Sequence, residues 1–186
     1  PPRSTQSRSS AASDVYKRQI LYPTDTVWGL GCDATNFKAV SQIYRIKNRT
    51  ESKSLIVLVS SIHMLKKYVT VPSKALDILK KAKKPTTIIY KNPEGFAKNT
   101  IALDGTIAVR VVKDEFCRKL IKRFKKPIIS SSANVSGQDT PKSFKEISQS
   151  ILDDVNYVVN LHQNKENSKP STIFKIVDSQ IEVLRS

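Results

Sequence analysis

The sequence predicts a single α/β domain built on a twisted sheet of mixed parallel and antiparallel strands with flanking helices. Three observations carry that reading. Short β-branched runs alternate with amphipathic stretches of helical period along most of the 186 residues, the pattern of helices packed on a sheet. Three strand-like runs then follow one another at 155–159, 172–177 and 181–184 with no helical pattern between them, so the sheet is not purely parallel. The length suits one domain, at roughly 100–200 residues each, and no internal repeat or linker divides it.

The elements follow in order. Residues 20–22 are a short strand stopped by Pro23. Asn36 is placed to cap a helix through Lys47, with Phe37, Val40, Ile43, Tyr44 and Ile46 on its apolar side. Residues 55–59 are an unbroken apolar run of strand length. Helices are expected over 62–68 and 73–83, the second opened by Pro72 and stopped by Pro85. Residues 86–90 and 106–112 are β-branched and strand-like. Residues 114–125 form an amphipathic helix with Phe116, Leu120, Ile121 and Phe124 on one side, and 127–129 is a strand running into Ser130-Ser131-Ser132. Ser143 and Glu146 have capping-box spacing, which predicts a helix over 143–152. The polar stretch 160–169 is a loop.

Composition excludes several classes. No run reaches the ~18 apolar residues of a membrane helix. Two cysteines, Cys32 and Cys117, cannot make a disulfide framework, and such usage suits a reducing compartment. With His63 and His162 they offer no pair at zinc-ligand spacing, and each His reads as a structural or surface residue. Hydrophobic content of 39% excludes general disorder. Residues 1–19 are Ser/Arg-rich, lack an initiator Met and show no hydrophobic period. They read as a non-native or disordered leader, which leaves 20–186 as the domain.

Net charge is +16, from 32 Lys+Arg against 16 Asp+Glu. Without the leader the counts become 28 and 15, a net +13, so the basicity belongs to the domain. That sign suits a nucleotide, RNA or another polyanion; it equally suits lysines spread over solvated helix faces. Gly29, Gly31, Gly105 and Gly137 each lie near hydroxyl or amide side chains. Such glycines let backbone N–H groups approach an anion, or simply make turns. Neither a G-x-x-x-x-G-K-[ST] loop, a G-x-G-x-x-G turn nor a G-x-S-x-G elbow is present. Lys47 and Arg49 fall where the first helix should end. There they complement the helix dipole, or together face one triphosphate.

Residues 22–31, Tyr-Pro-Thr-Asp-Thr-Val-Trp-Gly-Leu-Gly, open a series of motifs. Lys47-x-Arg49, Leu55-Ile56-Val57-Leu58-Val59, Ala108-Val109-Arg110, Ser132-Ala133-Asn134-x-Ser136-Gly137, Pro170-Ser171-Thr172-Ile173 and Leu184-Arg185 complete it. In this order the series resembles the YrdC-domain family, the threonylcarbamoyl-AMP synthases, over residues 20–185. The resemblance implies a YrdC-like fold and a nucleotidyltransferase of the short, single-domain type. Such enzymes condense L-threonine, bicarbonate and ATP to threonylcarbamoyl-adenylate and pyrophosphate. Threonylcarbamoyl-transferase proteins then modify an adenosine beside the anticodon of ANN-decoding tRNAs.

By position, the resemblance implies that Thr26, Ser132 and Ser171 meet L-threonine. Arg49, Lys53, Arg110, Asn134, Ser143 and Arg185 would meet ATP, with Lys47 and Arg49 carrying the catalytic charge. Mg²⁺ would arrive on the ATP phosphates without a protein-built metal site. A cytoplasmic setting, tRNA or double-stranded RNA contact through the basic surface, and no membrane association are also implied. An RNA-binding paralogue of the same fold, without adenylate synthesis, is the alternative. The chain departs from the family pattern at Trp28, Asn48, Thr50, Leu58 and Val112, and 84–87 lacks a usual glycine. Leu58 stands where longer members carry a threonine-contacting histidine. Family members also begin with a helix before the first strand, and residues 1–19, which show no hydrophobic period, are expected to stand in its place.

Overall fold

The computed structural model describes residues 19–50, 55–164, 166, 169–177 and 180–185. Their elements begin with β1 (Ile20–Tyr22), β2 (Gly29–Gly31), α1 (Phe37–Ile46), β3 (Ile56–Val59), α2 (Ile62–Leu65) and α3 (Ser73–Lys81). Next come β4 (Thr86–Lys91), β5 (Thr106–Val111), α4 (Glu115–Phe124) and β6 (Ile128–Ser132). The last are α5 (Gln149–Asp154), β7 (Tyr157–Val158), β8 (Thr172–Val177) and β9 (Gln180–Arg185), and 3-10 turns cover Lys98–Thr100 and Phe144–Glu146. Among the described residues the strands form one sheet in the order β7-β1-β2-β6-β3-β5-β4-β8-β9. The pairs β1–β7, β3–β5 and β4–β8 are parallel, and the other five are antiparallel. The mixed sheet with flanking helices forms as expected.

β6 joins the two halves of this sheet. Ile128, Ile129 and Ser130 pair with β3, while Ser131 and Ser132 pair with β2. The buried isoleucines anchor its first half in the core. Its serine half then carries small hydroxyl side chains on to the pairing with β2. Caps fix the helices beside it. Asn36 Oδ1 accepts from Ala39 N at 3.1 Å and Asp114 Oδ1 accepts from Cys117 N at 2.7 Å, satisfying donors left over at each helix start. α1 ends as Asn48 turns left-handed, with φ 47°, which reverses the chain and sends Arg49 back beside the sheet.

Several elements depart from the sequence reading. Gly29-Leu30-Gly31, read as a turn or anion cradle, is a fully buried strand. A Cβ on Gly31 would stand 2.5 Å from the Tyr22 ring and 2.8 Å from the Ile129 carbonyl, so glycine serves close backbone packing there. Gly105 and Gly137 take φ of 75° and 88° with open space around them, which is turn chemistry. The helix expected over 143–152 splits into the 3-10 turn and α5. Ser143 makes no side-chain cap bond, and Glu146 accepts from the Lys142 N–H at 2.9 Å. Phe144 is instead drawn to Trp28, with ring centroids 5.0 Å apart. The helix over 62–68 is one turn, that over 73–83 ends at Lys81, and the strand over 155–159 shortens to two residues. Gln19, assigned to the leader, is buried, and its N–H donates to Asn156 Oδ1 at 3.0 Å.

Gly31→Ala should lower stability by about 1–3 kcal/mol, the usual range for overpacking a filled interior. Urea unfolding of the two proteins checks it, and an unchanged midpoint would show that Tyr22 and β6 yield without loss.

Candidate active site

A cleft of about 390 Å³ lies against the sheet, from Ser130, Ser131 and Ser132 of β6 across to Ile173 of β8 and Arg185 of β9. That volume lies within the roughly 300–1,000 Å³ of small-molecule sites. Arg49, Arg110 and Arg185 line it, with hydroxyls from Thr26, Ser132 and Ser171 and an apolar floor that includes Ile56, Ile89 and Ile173. Each position follows from the local fold. Thr26 sits in the turn between β1 and β2, held by Thr24, whose Oγ1 donates to the Val27 carbonyl at 2.7 Å and accepts from the Thr26 N–H at 3.0 Å. Such side-chain turns order a loop without a helix or strand to support it.

Arg110 comes from the middle of the sheet and is 3% exposed. Its Nη1 donates to Thr26 Oγ1 at 3.1 Å, and its Nη2 lies 3.3 Å from Asp25 Oδ1. Its Nε is buried without a hydrogen-bond partner among the described residues. A buried donor left unmade costs about 1–3 kcal/mol. Arg185 Nε donates to the Ser171 carbonyl at 2.9 Å and Nη2 to Ser171 Oγ at 3.2 Å. Ser171 Oγ in turn shares a hydrogen bond of 2.9 Å with Thr87. Burial lowers the Arg185 pKa, and the charge of Arg110 lowers it further. Burial likewise lowers that of Arg49. Three guanidiniums at one cleft make a site for an anion.

Lys47 differs from the expectation that it faces a ligand beside Arg49. Its side chain is 1% exposed and does not line the cleft. The ammonium donates to the carbonyls of Ser132 and Asn134, the latter at 2.6 Å. The Lys47 backbone carbonyl accepts from Ser136 N at 2.7 Å. One residue at the end of α1 therefore clasps the 132–136 loop at three points. Burial, then the neighbouring Arg49, brings the Lys47 pKa down to about 8.

Of the residues singled out from sequence, Thr26, Arg49, Arg110, Ser132, Ser171 and Arg185 meet at the cleft. Lys47 stands behind it. Asn134 lies beside the Lys47 clasp, donating to the Val135 and Gln138 carbonyls at 3.0 and 2.8 Å, with Oδ1 buried and unpartnered among the described residues. Ser143 is not at the cleft wall, and Lys53 lies outside the described residues. Thr24, Asp25 and Thr87 were not singled out. Thr24 and Asp25 stand inside the Pro23–Thr26 motif, and Thr87 closes the 84–87 run, which stands out in the sequence only for its missing glycine.

The model of the Sua5_yciO_yrdC family, described as "Telomere recombination", matches residues 18–186. The chain belongs to the Sua5/YciO/YrdC family. It is 38% identical over 170 residues to a threonylcarbamoyl-AMP synthase of Pseudoalteromonas translucida, covering 87% of this chain and 88% of that one. It is 35% identical over 167 residues to a putative threonylcarbamoyl-AMP synthase of Methanocaldococcus jannaschii, covering 89% and 78%. Among solved structures, P. abyssi Sua5 complexed with L-threonine superposes with a TM-score of 0.85 at 25% identity, covering 96% of this chain and 53% of that one. The chain thus spans about half the length of that relative. E. coli YciO, at 24% identity, shares the fold with a TM-score of 0.84, covering 100% of this chain and 92% of that one.

Lys47→Ala should cost about 1–3 kcal/mol, because the Ser132 and Asn134 carbonyls lose their donor; Arg49→Ala should cost less. The Lys47 effect also has a pH signature. An unfolded lysine keeps its proton to about pH 10.4. With the folded pKa at about 8, the unfolded chain binds more protons between those values. Wild type should therefore gain stability relative to Lys47→Met as pH rises from 8 to 10. Urea titrations at pH 7, 8, 9 and 10 check both statements, and a pH-independent difference would place the ammonium in solvent.

Proposed function

We propose that this chain is an L-threonylcarbamoyladenylate synthase, acting on L-threonine, bicarbonate and ATP. The observation that supports this reading best is the convergence of Arg49, Arg110 and Arg185 with the Thr26, Ser132 and Ser171 hydroxyls on one cleft. The names of the related synthases and the threonine complex of P. abyssi Sua5 point the same way. In the reaction, an oxygen of the threonine-derived carbamate forms a bond to the ATP α-phosphorus. The bond to the β-phosphate oxygen breaks, and pyrophosphate leaves with that electron pair.

Both reactants are anionic, so their approach needs positive charge held in place. Arg49 and Arg185 would take the phosphates as bidentate donors, and Arg110 would offer its unmade Nε–H to an anionic group beside Thr26. Thr26, Ser132 and Ser171 would orient the amino acid. Lys47 would act from behind, fixing the loop that carries Ser132 and Asn134, and Asn134, Lys53 and Ser143 complete the proposed ATP contacts. Among the described residues no group of three His, Cys, Asp or Glu is arranged for a metal, and Asp25 is paired with Arg110. Mg²⁺ fits as a companion of the ATP phosphates, supplying charge neutralisation there. The adenylate would pass to threonylcarbamoyl-transferase proteins that modify ANN-decoding tRNAs in the cytoplasm, with tRNA or double-stranded RNA meeting the basic surface.

Pyrophosphate release from ATP tests the reading, with L-threonine and bicarbonate omitted in turn and L-alanine substituted for threonine. Release that needs both substrates and is not sustained by alanine is expected. Release indifferent to threonine would overturn the assignment. No release from folded protein, with nucleotide-independent and salt-sensitive RNA affinity, would favour the RNA-binding alternative.

A further inference from the structure

Ser171 is held from two sides, and the way its hydrogen bonds divide fixes where its own hydrogen goes. It stands just before β8 and lines the arginine cleft. Arg185 Nη2 donates to its Oγ at 3.2 Å, and Thr87 Oγ1 lies 2.9 Å from the same atom. In a pair of hydroxyls either one can supply the hydrogen. Here the surroundings of Thr87 decide. It is fully buried in β4 and does not line the cleft. Ser171 is the one hydrogen-bond partner of its side chain among the described residues. Arg110, opposite it in the register, offers only donors. Were Ser171 the donor, the Thr87 hydrogen would be buried with nothing to accept it, which folded proteins avoid. With Thr87 donating, Ser171 Oγ accepts twice, and its single hydrogen is left for the cleft.

Thr26 is set the other way. Thr24 gives its one hydroxyl hydrogen to the Val27 carbonyl at 2.7 Å, so Thr26 is the donor in the 2.9 Å bond between the two threonines. Thr26 Oγ1 also accepts from Arg110 Nη1. It therefore has a lone pair, and no hydrogen, left for a ligand. Two hydroxyls that look interchangeable in the sequence have opposite polarity at the cleft: Thr26 accepts and Ser171 donates.

We propose that Thr87 is a positioning residue for the amino-acid substrate, committing the Ser171 hydrogen to a carboxylate by donating to Ser171 Oγ. The inference rests on the reading of the cleft as a threonine site. A carboxylate has acceptors only and suits the Ser171 O–H beside Arg185, while an N–H or O–H of the same molecule suits Thr26. Thr87 does not reach the cleft, so its effect passes through one oxygen. Without its hydroxyl, Ser171 Oγ loses one of its two anchors, and its O–H loses the polarisation that an accepted hydrogen bond gives.

Steady-state pyrophosphate release, titrated with L-threonine and with ATP, tests this in wild type, Thr87→Val, Thr87→Ser, Ser171→Ala and the Thr87→Val/Ser171→Ala double variant. Circular dichroism checks that each is folded, and Thr87→Ala replaces any valine variant that is not. Thr87→Val should raise KM for L-threonine about tenfold, the size of one hydrogen bond to a charged group. Its kcat and its KM for ATP should stay within about threefold of wild type, and Thr87→Ser should keep the wild-type KM. On the Ser171→Ala background, Thr87→Val should add less than about twofold, since a residue acting through Ser171 then has nothing to act on. A residue that merely supports its strand would add its full effect there, and that result would overturn the proposal. So would a Thr87→Ser variant no better than Thr87→Val. Wild-type release that ignores L-threonine would overturn the reading of the cleft and this inference with it. Threonine-dependent release with an unchanged KM in Thr87→Val would overturn this inference alone.

Discussion

Lys47 carries its ammonium into the protein at the end of α1, and the shape of the cleft depends on how that charge is satisfied. A buried cation without partners is expelled or neutralised. Here the Ser132 and Asn134 carbonyls accept from it, while Ser136 N donates to the Lys47 backbone carbonyl. The loop after β6 is thereby pinned to the loop after α1. The left-handed turn at Asn48 then places Arg49, two residues after Lys47, at the cleft wall. One lysine supports the surface, and its neighbour in the motif presents charge to it.

The opposite wall depends on the same kind of constraint. Arg110 enters from β5, where a charged side chain is otherwise expensive, and is held by Thr26 and Asp25 on one side of the cleft. Its unpartnered Nε and the two-point grip of Arg185 on Ser171 leave the site organised before any ligand arrives. Preorganised donors of this kind favour charge that develops in a reaction, since little rearrangement is needed when it appears. The cleft is thus assembled against the sheet from strands far apart in sequence.

That assembly explains what the sequence could and could not disclose. Hydrophobic period and capping residues located α1, α4 and most strands, because Asn36, Asp114 and the β-branched runs act locally. The serial motifs identified the wall residues Thr26, Arg49, Arg110, Ser132, Ser171 and Arg185. The different duties of Lys47 and Arg49 were not legible, since two cations two residues apart look alike until the loop that covers one is in place. β2 was missed because a Gly-Leu-Gly strand has no alternation, and its glycines answer to Tyr22 and Ile129 across the sheet. The capping-box spacing at Ser143 misled for a similar reason: the Trp28–Phe144 contact outweighs a local cap. Thr87 acts only through Ser171, a strand away.

The dependence of the cleft on Lys47 is most directly tested by amide hydrogen exchange over residues 132–138 in wild type and Lys47→Met. The N–H groups of Ala133, Asn134, Ser136 and Gln138 all donate within or around this loop, so their exchange reports its order. Faster exchange is expected there in the variant, with the β3–β5 pairing still protected. Equal protection of 132–138 in the two proteins would show that the loop holds itself, and that the buried ammonium does not organise the site.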